Sequence, residues 1–282
     1  MRDNLVKHLL LSCASLSIVF LAGITVTLFK EGLPIFKEVS VFKFLFGRYW
    51  YPTYDPPDFG ILPLILGSLW VTLGALFVAV PLGVGSAMYI SELAHPKLRE
   101  ILKPTVELLA SVPSVVYGFF GMVFLGPLVQ RLFDLPVGLT CFTASIILGM
   151  MALPTVASIA EDAISAVPRE LREASYALGA MKWETITKVV VPAASSGIIA
   201  AVILGFGRAV GETMTVLMVA GGAAVIPRSV FQPVRTMTAT IAAEMGEAPM
   251  GSDHYHALFG IALVLFFITL GFNLLADKII KG

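Results

Sequence analysis

Six long apolar stretches constrain this chain more than any other feature of its sequence. They lie near residues 10–29, 61–90, 105–133, 137–160, 189–223 and 256–276, and each reaches the roughly 20 residues that a helix needs to cross the hydrocarbon core of a bilayer. Charged residues make up 13% of the chain, against about 25% in soluble domains. The sequence therefore predicts an all-α polytopic membrane protein, with six transmembrane helices in one transmembrane domain over residues 1–282.

The distribution of Lys and Arg predicts the orientation of these spans, because cytoplasmic loops carry the excess of basic residues. With the amino terminus inside, eleven basic residues fall on the cytoplasmic side and seven on the other. The cytoplasmic set is Arg2, Lys7, Lys97, Arg99, Lys103, Arg169, Arg172, Lys182, Lys188, Lys278 and Lys281. Both termini and the polar loop at 161–188 are therefore expected on the cytoplasmic side.

Two of the predicted spans are too irregular for simple anchors. The segment 105–133 contains ASVPSVVYGFFG, in which Pro113 should break or kink the helix. The segment 189–223 is too long for one crossing and contains Gly205, Gly207 and Gly211. Broken backbone at membrane depth is tolerated where protein or a water-filled cavity covers it. The breaks are consistent with a transport pathway, but Gly and Pro also serve as packing devices in membrane helices.

The sequence GRAVGET at 207–213 favours the pathway. Arg208 and Glu212 are four residues apart, so a continuous helix would place them on one face. Charges inside a membrane span usually face the bundle interior or an aqueous cavity, and a guanidinium is a planar fork suited to two oxyanion oxygens. We predict that Arg208 contributes to an anion pathway, that Glu212 tunes it and that Thr213 lies beside them. The alternative is a self-neutralising pair that only fixes helix packing.

The polar loop at 161–188 predicts a short helix. Pro168 suits a helix start and Gly179 suits a left-handed cap at its end. Between them, Leu171, Ala174 and Leu178 form a narrow apolar stripe among charged residues. A helix of this length is marginal alone, since isolated helices below roughly 12–15 residues are unstable in water. We therefore expect a partner to cover it, the alternative being a solvated connector.

The same loop resembles the EAA loop of ABC importer permeases. The resemblance rests on the spacing of Glu173, Ala174, Gly179 and Pro192, with Val189 and Val191 before the Pro and with Ser175 in place of the usual second Ala. It implies that these residues form the element that couples the permease to an ATPase. It also implies the fold of a type I ABC importer permease.

Further blocks resemble the C-type permeases of phosphate ABC importers (PstC-like). They are ASVPSVVYGFFG, GRAVGETMTVLMVAGG, VRTMTATIAAEMGE at 234–247 and HYHALF at 254–259. The resemblance implies a permease that lies in the cytoplasmic (inner) membrane of a bacterium and translocates inorganic phosphate across it. It also implies four kinds of partner: a homologous A-type permease subunit, two ATP-binding subunits, an external phosphate-binding protein and the lipid membrane.

Neither a catalytic nor a cofactor site is predicted in this chain. It lacks the G-x-x-x-x-G-K-[ST] phosphate loop, so ATP would be hydrolysed by partner subunits and the chain itself would not be an enzyme. Asp253, His254 and His256 are too few and too close to a membrane edge to predict a metal site. No basic run rich in aromatic residues suggests nucleic acid.

The alternatives left open are a permease for another oxyanion such as sulfate or molybdate, a membrane scaffold that transports nothing, and an intramembrane enzyme. The outer segment 226–255 allows two interpretations as well. Its TMTATIAAEMGE sequence could form an amphipathic helix over the outer mouth, with Glu244 and Glu247 facing the binding protein, or it could be a plain surface loop. The segment 30–60 reads as an outer loop with an aromatic belt.

Overall fold

The computed structural model describes the backbone of residues 2–281 and the side chains of residues 6–275 and 278. The side chains of Arg2 and Lys281, which entered the charge count, lie outside the described residues. The side chain of Ala276, at the end of the last predicted span, lies outside them too.

The described chain is helical almost throughout. Its α-helices are α1 (Arg2–Gly32), α2 (Ile35–Glu38), α3 (Val41–Phe46), α4 (Leu62–Met88), α5 (Pro96–Ala110), α6 (Ser114–Phe120), α7 (Gly126–Leu132), α8 (Cys141–Ser165), α9 (Arg169–Ala177), α10 (Lys182–Thr185), α11 (Val191–Ala193), α12 (Ser195–Gly211), α13 (Met214–Val219), α14 (Met237–Glu244) and α15 (Asp253–Lys281). Segments of π-helix occupy Tyr89–Leu93, Gly121–Leu125 and Ile186–Val190. Strands β1 (Trp50–Tyr51) and β2 (Asp58–Phe59) pair antiparallel in a short hairpin.

The helices α4 and α8 form the centre of the bundle. They approach closely because small residues line their contact: a Cβ added to Gly149 would lie 3.0 Å from the Ala75 carbonyl oxygen, and one added to Gly74 would lie 2.4 Å from Ser145 Oγ. Small residues allow membrane helices to pack backbone against backbone. Helix α12 packs across both, and α1 packs on α15 with most of its apolar surface exposed, as expected for a surface that contacts lipid.

The predicted membrane fold is confirmed. Within the described part of the chain, five helical segments are long and apolar enough to span a membrane: Val6–Glu38, Leu62–Leu93, Ser114–Leu132, Cys141–Ser165 and Asp253–Leu275. A sixth is formed by Lys182–Ala193 and Ser195–Gly211, which meet at an angle of 70°. The described chain is thus an all-α protein with five or six membrane-spanning segments.

Two predicted spans differ from the helices that form. The segment 105–133 is not one helix, because α5 ends at Ala110 and the span begins at Ser114, after Pro113. The segment 189–223 is divided twice, by the bend between α11 and α12 and by a break after Gly211. The break at Pro113 and the break after Gly211 therefore fall where Pro or Gly weakens the helix.

The segment 30–60 has more regular structure than an outer loop. It contains α2, α3 and the hairpin, and Ile35, Phe44, Trp50 and Phe59 are buried in one apolar cluster with α15. Elements of two to six residues carry too little periodicity to be predicted from their sequence. Their packing makes this segment a rigid part of the outer surface.

The prediction for Glu244 is wrong. Helix α14 buries Met237 to Thr240, and the Glu244 carboxylate points into the protein. It accepts hydrogen bonds from Arg235 Nη1 at 2.6 Å and Trp50 Nε1 at 3.0 Å, and it lies 2.9 Å from His254 Nε2. Glu244 thus neutralises Arg235 and joins α14 to the hairpin and to α15. Glu247 is exposed.

Candidate functional site

The chain breaks between α12 and α13, and Glu212 lies in this break. Helix α12 ends at Gly211, and Glu212 has extended backbone angles (φ −70°, ψ 131°). Its carboxylate accepts the backbone N–H of Thr215 at 3.1 Å, and its carbonyl accepts the Thr238 hydroxyl at 2.8 Å. Glu212 therefore satisfies one of the N–H groups that the start of α13 leaves without a helical partner.

This geometry corrects the prediction that Arg208 and Glu212 share one helix face. Glu212 is outside α12, and no ion pair joins it to Arg208 among the described side chains. The physical reason is competition: the Glu212 carboxylate caps α13 instead of reaching back one turn to the guanidinium. The alternative interpretation of the two residues as a self-neutralising pair is therefore wrong as well.

Arg208 binds neutral acceptors from two other segments. Its Nη1 donates to Thr155 Oγ1 of α8 at 2.8 Å, and its Nη2 donates to the carbonyl of Ala110 at 3.2 Å. Ala110 is the last residue of α5, and the final carbonyls of a helix have no helical donor and favour a nearby cation. Arg208 thus stabilises the end of α5 while its positive charge remains without a carboxylate partner among the described residues.

The two breaks in the chain face each other. The Thr215 hydroxyl of α13 donates to the carbonyl of Ser114, the first residue of α6, at 2.9 Å. Gly118 allows the close approach of the two helices, because a Cβ there would lie 2.7 Å from Met218 Sδ and 3.2 Å from Thr215 Cα. The polar backbone groups freed by the breaks therefore find partners across the α6–α13 contact.

The positions that flank Arg208 on α12 are uncrowded. Gly207 and Gly211 are exposed, and a Cβ added at either position would meet no atom within 4 Å. Thr213 is partly exposed, and its hydroxyl donates to the Gly211 carbonyl at 3.2 Å. Arg208, itself partly exposed, therefore lies between two exposed glycines of α12, and Glu212 and Thr213 follow in the break after Gly211. Such a guanidinium retains N–H groups that can bind an oxyanion.

The second predicted site, on the cytoplasmic loop, is a short helix that ends as predicted. Pro168 immediately precedes α9, and Gly179 has φ +82°. The N–H of Gly179 donates to the Tyr176 carbonyl at 2.9 Å, and that of Ala180 donates to the Ser175 carbonyl at 3.2 Å. These two bonds form a Schellman cap, which requires the left-handed conformation that Gly adopts without strain.

Polar bonds attach α9 to the membrane-spanning helices. Arg172 Nη2 donates to Glu92 Oε1 at 2.6 Å and to the Ile164 carbonyl at 3.0 Å. The Ser175 and Thr185 hydroxyls, both buried, lie 2.9 Å apart. This contact accounts for Ser175, which departs from the usual Ala: its hydroxyl joins α9 to α10. Movement of α9 would therefore be passed to α4, α8 and the bent span.

The outward face of this loop is apolar and uncovered. Leu178 is 89% exposed, Met181 71% and Trp183 60%. Of the predicted coupling residues, Glu173 and Ala174 lie exposed on α9. Pro192 is also exposed, but it lies in α11 at the bend, and a π-helical segment separates it from Glu173, Ala174 and Gly179. An exposed apolar patch rimmed by charge is typical of a protein-binding surface.

A buried carboxylate that the sequence analysis missed joins α5 to α8. Glu161 has 2% of its side chain exposed and accepts from Arg99 Nη2 and Lys103 Nζ, both at 2.6 Å. The hydroxyl of Ser165 donates to it at 2.8 Å. Hydrogen bonds from Lys103 to Asp162 and Glu161 raise the pKa of Lys103, so this amine stays protonated at neutral pH. One sequence signal could have indicated this contact: Arg99 and Lys103 are four residues apart, so they lie on the same face of α5 and together favour a carboxylate partner.

Known proteins resemble this chain over most of its length. Residues 79–281 match the family "Binding-protein-dependent transport system inner membrane component". The chain is 40% identical over 271 residues to the "Probable ABC transporter permease protein YqgH" of Bacillus subtilis, covering 95% of this chain and 88% of that protein. It is 35% identical over 287 residues to the "Phosphate transport system permease protein PstC" of Haemophilus influenzae, covering 95% and 89%.

Solved transporters share the fold. A chain of a bacterial alginate ABC transporter, solved with an alginate-bound periplasmic protein, gives a TM-score of 0.69 at 16% identity, covering 98% of this chain and 94% of that one. A chain of the MetNI methionine ABC transporter in an inward-facing conformation gives a TM-score of 0.60 at 20% identity, covering 76% of this chain and 92% of that one. At these identities the likeness concerns the arrangement of helices alone.

The Glu161 cluster generates a prediction about α5, which buries none of its residues fully. Replacing Glu161 by Gln should remove the charge that holds Arg99 and Lys103, and partly buried bonds of this kind contribute about 1.5–3 kcal/mol each. Hydrogen exchange of the α5 amides should then become faster, while the α4 amides keep their protection. Glu100→Gln, on the exposed side of α5, is the control. Equal exchange in the two variants would contradict a role for Glu161 in holding α5.

Proposed function

Because this chain belongs to the family of binding-protein-dependent transport system inner-membrane components, we propose that it is the permease subunit that carries inorganic phosphate in an ATP-driven importer. The named phosphate permeases that resemble it over most of its length support the choice of substrate.

One observation carries the proposal for the mechanism. Arg208 carries its guanidinium within the membrane-spanning bundle, its hydrogen bonds to the described residues go to neutral acceptors, and the exposed Gly207 and Gly211 flank it on α12. A cation in a membrane span is costly, and such residues mark substrate pathways. A phosphate ion that passes this point would gain charge-assisted hydrogen bonds from N–H groups already held in place.

The three predicted pathway residues take different roles in this proposal. Arg208 binds the anion, and the Thr213 hydroxyl offers a further polar contact. Glu212 keeps the break open by capping α13 and adds negative charge near the anion, which favours release. Arg208 also contacts the end of α5, so a movement of α5 would alter the position of the guanidinium and with it the affinity for phosphate.

The partners follow from surfaces that this chain leaves uncovered. The exposed apolar face of α9 and the residues after it would dock one of two ATP-binding subunits, with Glu173, Ala174 and Gly179 in the docking element. Helices α5, α6 and α12 expose apolar residues such as Leu108, Val116 and Leu204, which would pack against the homologous A-type permease. An external binding protein would deliver phosphate to the outer side. ATP is then the cofactor of the partner subunits.

The substrate claim predicts the behaviour of Arg208 variants in membrane vesicles that contain the whole transporter. Arg208→Gln removes a charged hydrogen-bond donor, whose loss costs about 1.5–3 kcal/mol, so phosphate uptake should fall roughly 10-fold to 150-fold. Arg208→Lys keeps the positive charge but lacks the planar guanidinium, so its phosphate uptake should lie between that of Arg208→Gln and that of the wild type. The measurement is uptake of labelled phosphate at equal amounts of assembled complex.

Competition in the same assay separates the substrates. Excess unlabelled phosphate should suppress uptake, whereas excess sulfate or molybdate should leave it unchanged. Suppression by sulfate or molybdate would contradict the choice of phosphate but not the importer. Normal uptake by Arg208→Gln would contradict the role of Arg208 in the pathway.

The coupling role of α9 predicts a difference between two substitutions at Gly179. A β-branched residue at φ +82° is strained by roughly 1–2 kcal/mol, so Gly179→Val should open the Schellman cap. Asn tolerates this conformation better than other side chains, and Gly179→Asn serves as the control. The ratio of phosphate imported to ATP hydrolysed in proteoliposomes should fall for Val and stay near wild type for Asn. An unchanged ratio for Gly179→Val would contradict the coupling role.

A further inference from the structure

A basic pocket opens on the outer side of the protein, away from Arg208. It has a volume of about 680 Å³, and its walls come from the segment before β1 and from the loop between α13 and α14. The residues that matter for its chemistry are Arg48, Tyr49, Tyr51, Arg228 and Gln232. The outer location follows from the orientation of the spans, because both segments lie opposite the loop that contains α9.

The two guanidinium groups of this pocket have no ion pair among the described residues, whereas three other cations of the outer side do. Lys30 pairs with Glu31, Lys43 with Asp58 and Arg235 with Glu244. Among the described residues, no ion pair or hydrogen bond involves the guanidinium of Arg48 or of Arg228, and both residues are exposed. Lys37 and Arg131 are also exposed cations without an ion pair among the described residues, but they do not line this pocket, whereas Arg48 and Arg228 share it.

The wall that bears Arg228 is held rigidly. The backbone N–H of Arg228 donates to Gln232 Oε1 at 2.9 Å. The backbone carbonyls of Gln232 and Val230 accept the N–H groups of Cys141 and Phe142, at 2.9 Å and 2.7 Å, which attaches this loop to the start of α8. A binding surface whose backbone is already fixed loses little entropy on association.

The wall that bears Arg48 is equally fixed and carries an aromatic surface. The hairpin after Arg48 is tied to Glu244 through Trp50. The rings of Tyr49 and Tyr51 stack with centroids 6.0 Å apart, and those of Tyr51 and Tyr54 stack at 4.8 Å. All three rings are exposed. Tyr and Arg are the residue types enriched at protein interfaces and among their energetic hot spots.

We propose that the Arg48–Arg228 pocket receives acidic side chains of the external binding protein, with the stacked tyrosines packing beside them. The inference rests on the proposed function, since it names the contact by which that partner docks. The volume of the pocket favours protein side chains over a lone phosphate ion, because pockets of 300–1,000 Å³ enclose ligands of many atoms. Complementary charge of this kind steers association and fixes the docking register.

The test compares two double variants that change the net charge equally. Arg48→Glu with Arg228→Glu reverses the pocket, whereas Lys37→Glu with Arg131→Glu reverses two exposed outer cations that do not line it and have no ion pair among the described residues. Each is purified as the complete transporter in nanodiscs. The probe is the phosphate-loaded binding protein of the same system, and the readout is the concentration of it that half-maximally stimulates ATP hydrolysis.

The pocket variant should raise this half-maximal concentration by about tenfold or more, as expected for the loss of close charge pairs across an interface, with the maximal rate of hydrolysis unchanged. The control variant should shift it less than about twofold, the effect of exposed and screened charges. A smaller salt dependence of the half-maximal concentration in the pocket variant would agree with the lost ion pairs.

Two outcomes would overturn the proposal. One is an equal shift in the pocket and control variants. The other is that free phosphate added in excess displaces the loaded binding protein from the wild-type complex but not from the pocket variant, because the pocket would then be a phosphate site. Failure of the proposed function is distinguishable, since the wild-type complex would then show no stimulation by its loaded binding protein.

Discussion

The hydrogen bonds of Arg208 connect three helices on which the proposed transport mechanism depends. The guanidinium of α12 reaches α8 through Thr155 and the end of α5 through the Ala110 carbonyl. Those acceptors are neutral, so the bonds position the side chain without cancelling its charge. Glu212, the nearest acid in sequence, is held in the cap of α13. The break after Gly211 therefore separates a cation from the carboxylate that would otherwise neutralise it.

A continuous set of contacts joins the cytoplasmic loop to this cation. Arg172 of α9 binds Glu92 and the Ile164 carbonyl of α8. Glu161, also in α8, forms ion pairs with Arg99 and Lys103 of α5. The carboxyl-terminal end of α5 supplies the carbonyl group that Arg208 binds. Because α5 buries no residue fully, these polar bonds carry much of its attachment. A displacement of α9 would thus reach Arg208 through helices that move as rigid units.

The sequence predicted what depends on composition and on single conformational requirements. Span lengths follow from hydrophobicity, and the left-handed Gly179 follows from its position after an amphipathic run. The predictions that were wrong concern the hydrogen-bond or ion-pair partner of a polar side chain. Glu212 was predicted to lie beside Arg208, yet its carboxylate caps α13. Glu244 was predicted to face outward, yet it neutralises Arg235. Pairs such as Arg99 with Glu161, 62 residues apart, exist only once the helices have packed.

The account is tested most directly by the water accessibility of the position between Arg208 and Glu212. Gly211 is exposed with open space around it, so Gly211→Cys, in a complex whose native Cys13 and Cys141 are replaced by Ser, should react with a charged, membrane-impermeant thiol reagent. We predict that the reactive side of the membrane changes when the ATPase subunits are trapped with ATP, and that phosphate slows the reaction. A thiol that reacts from neither side in either state would place Arg208 in a sealed packing contact and contradict the account.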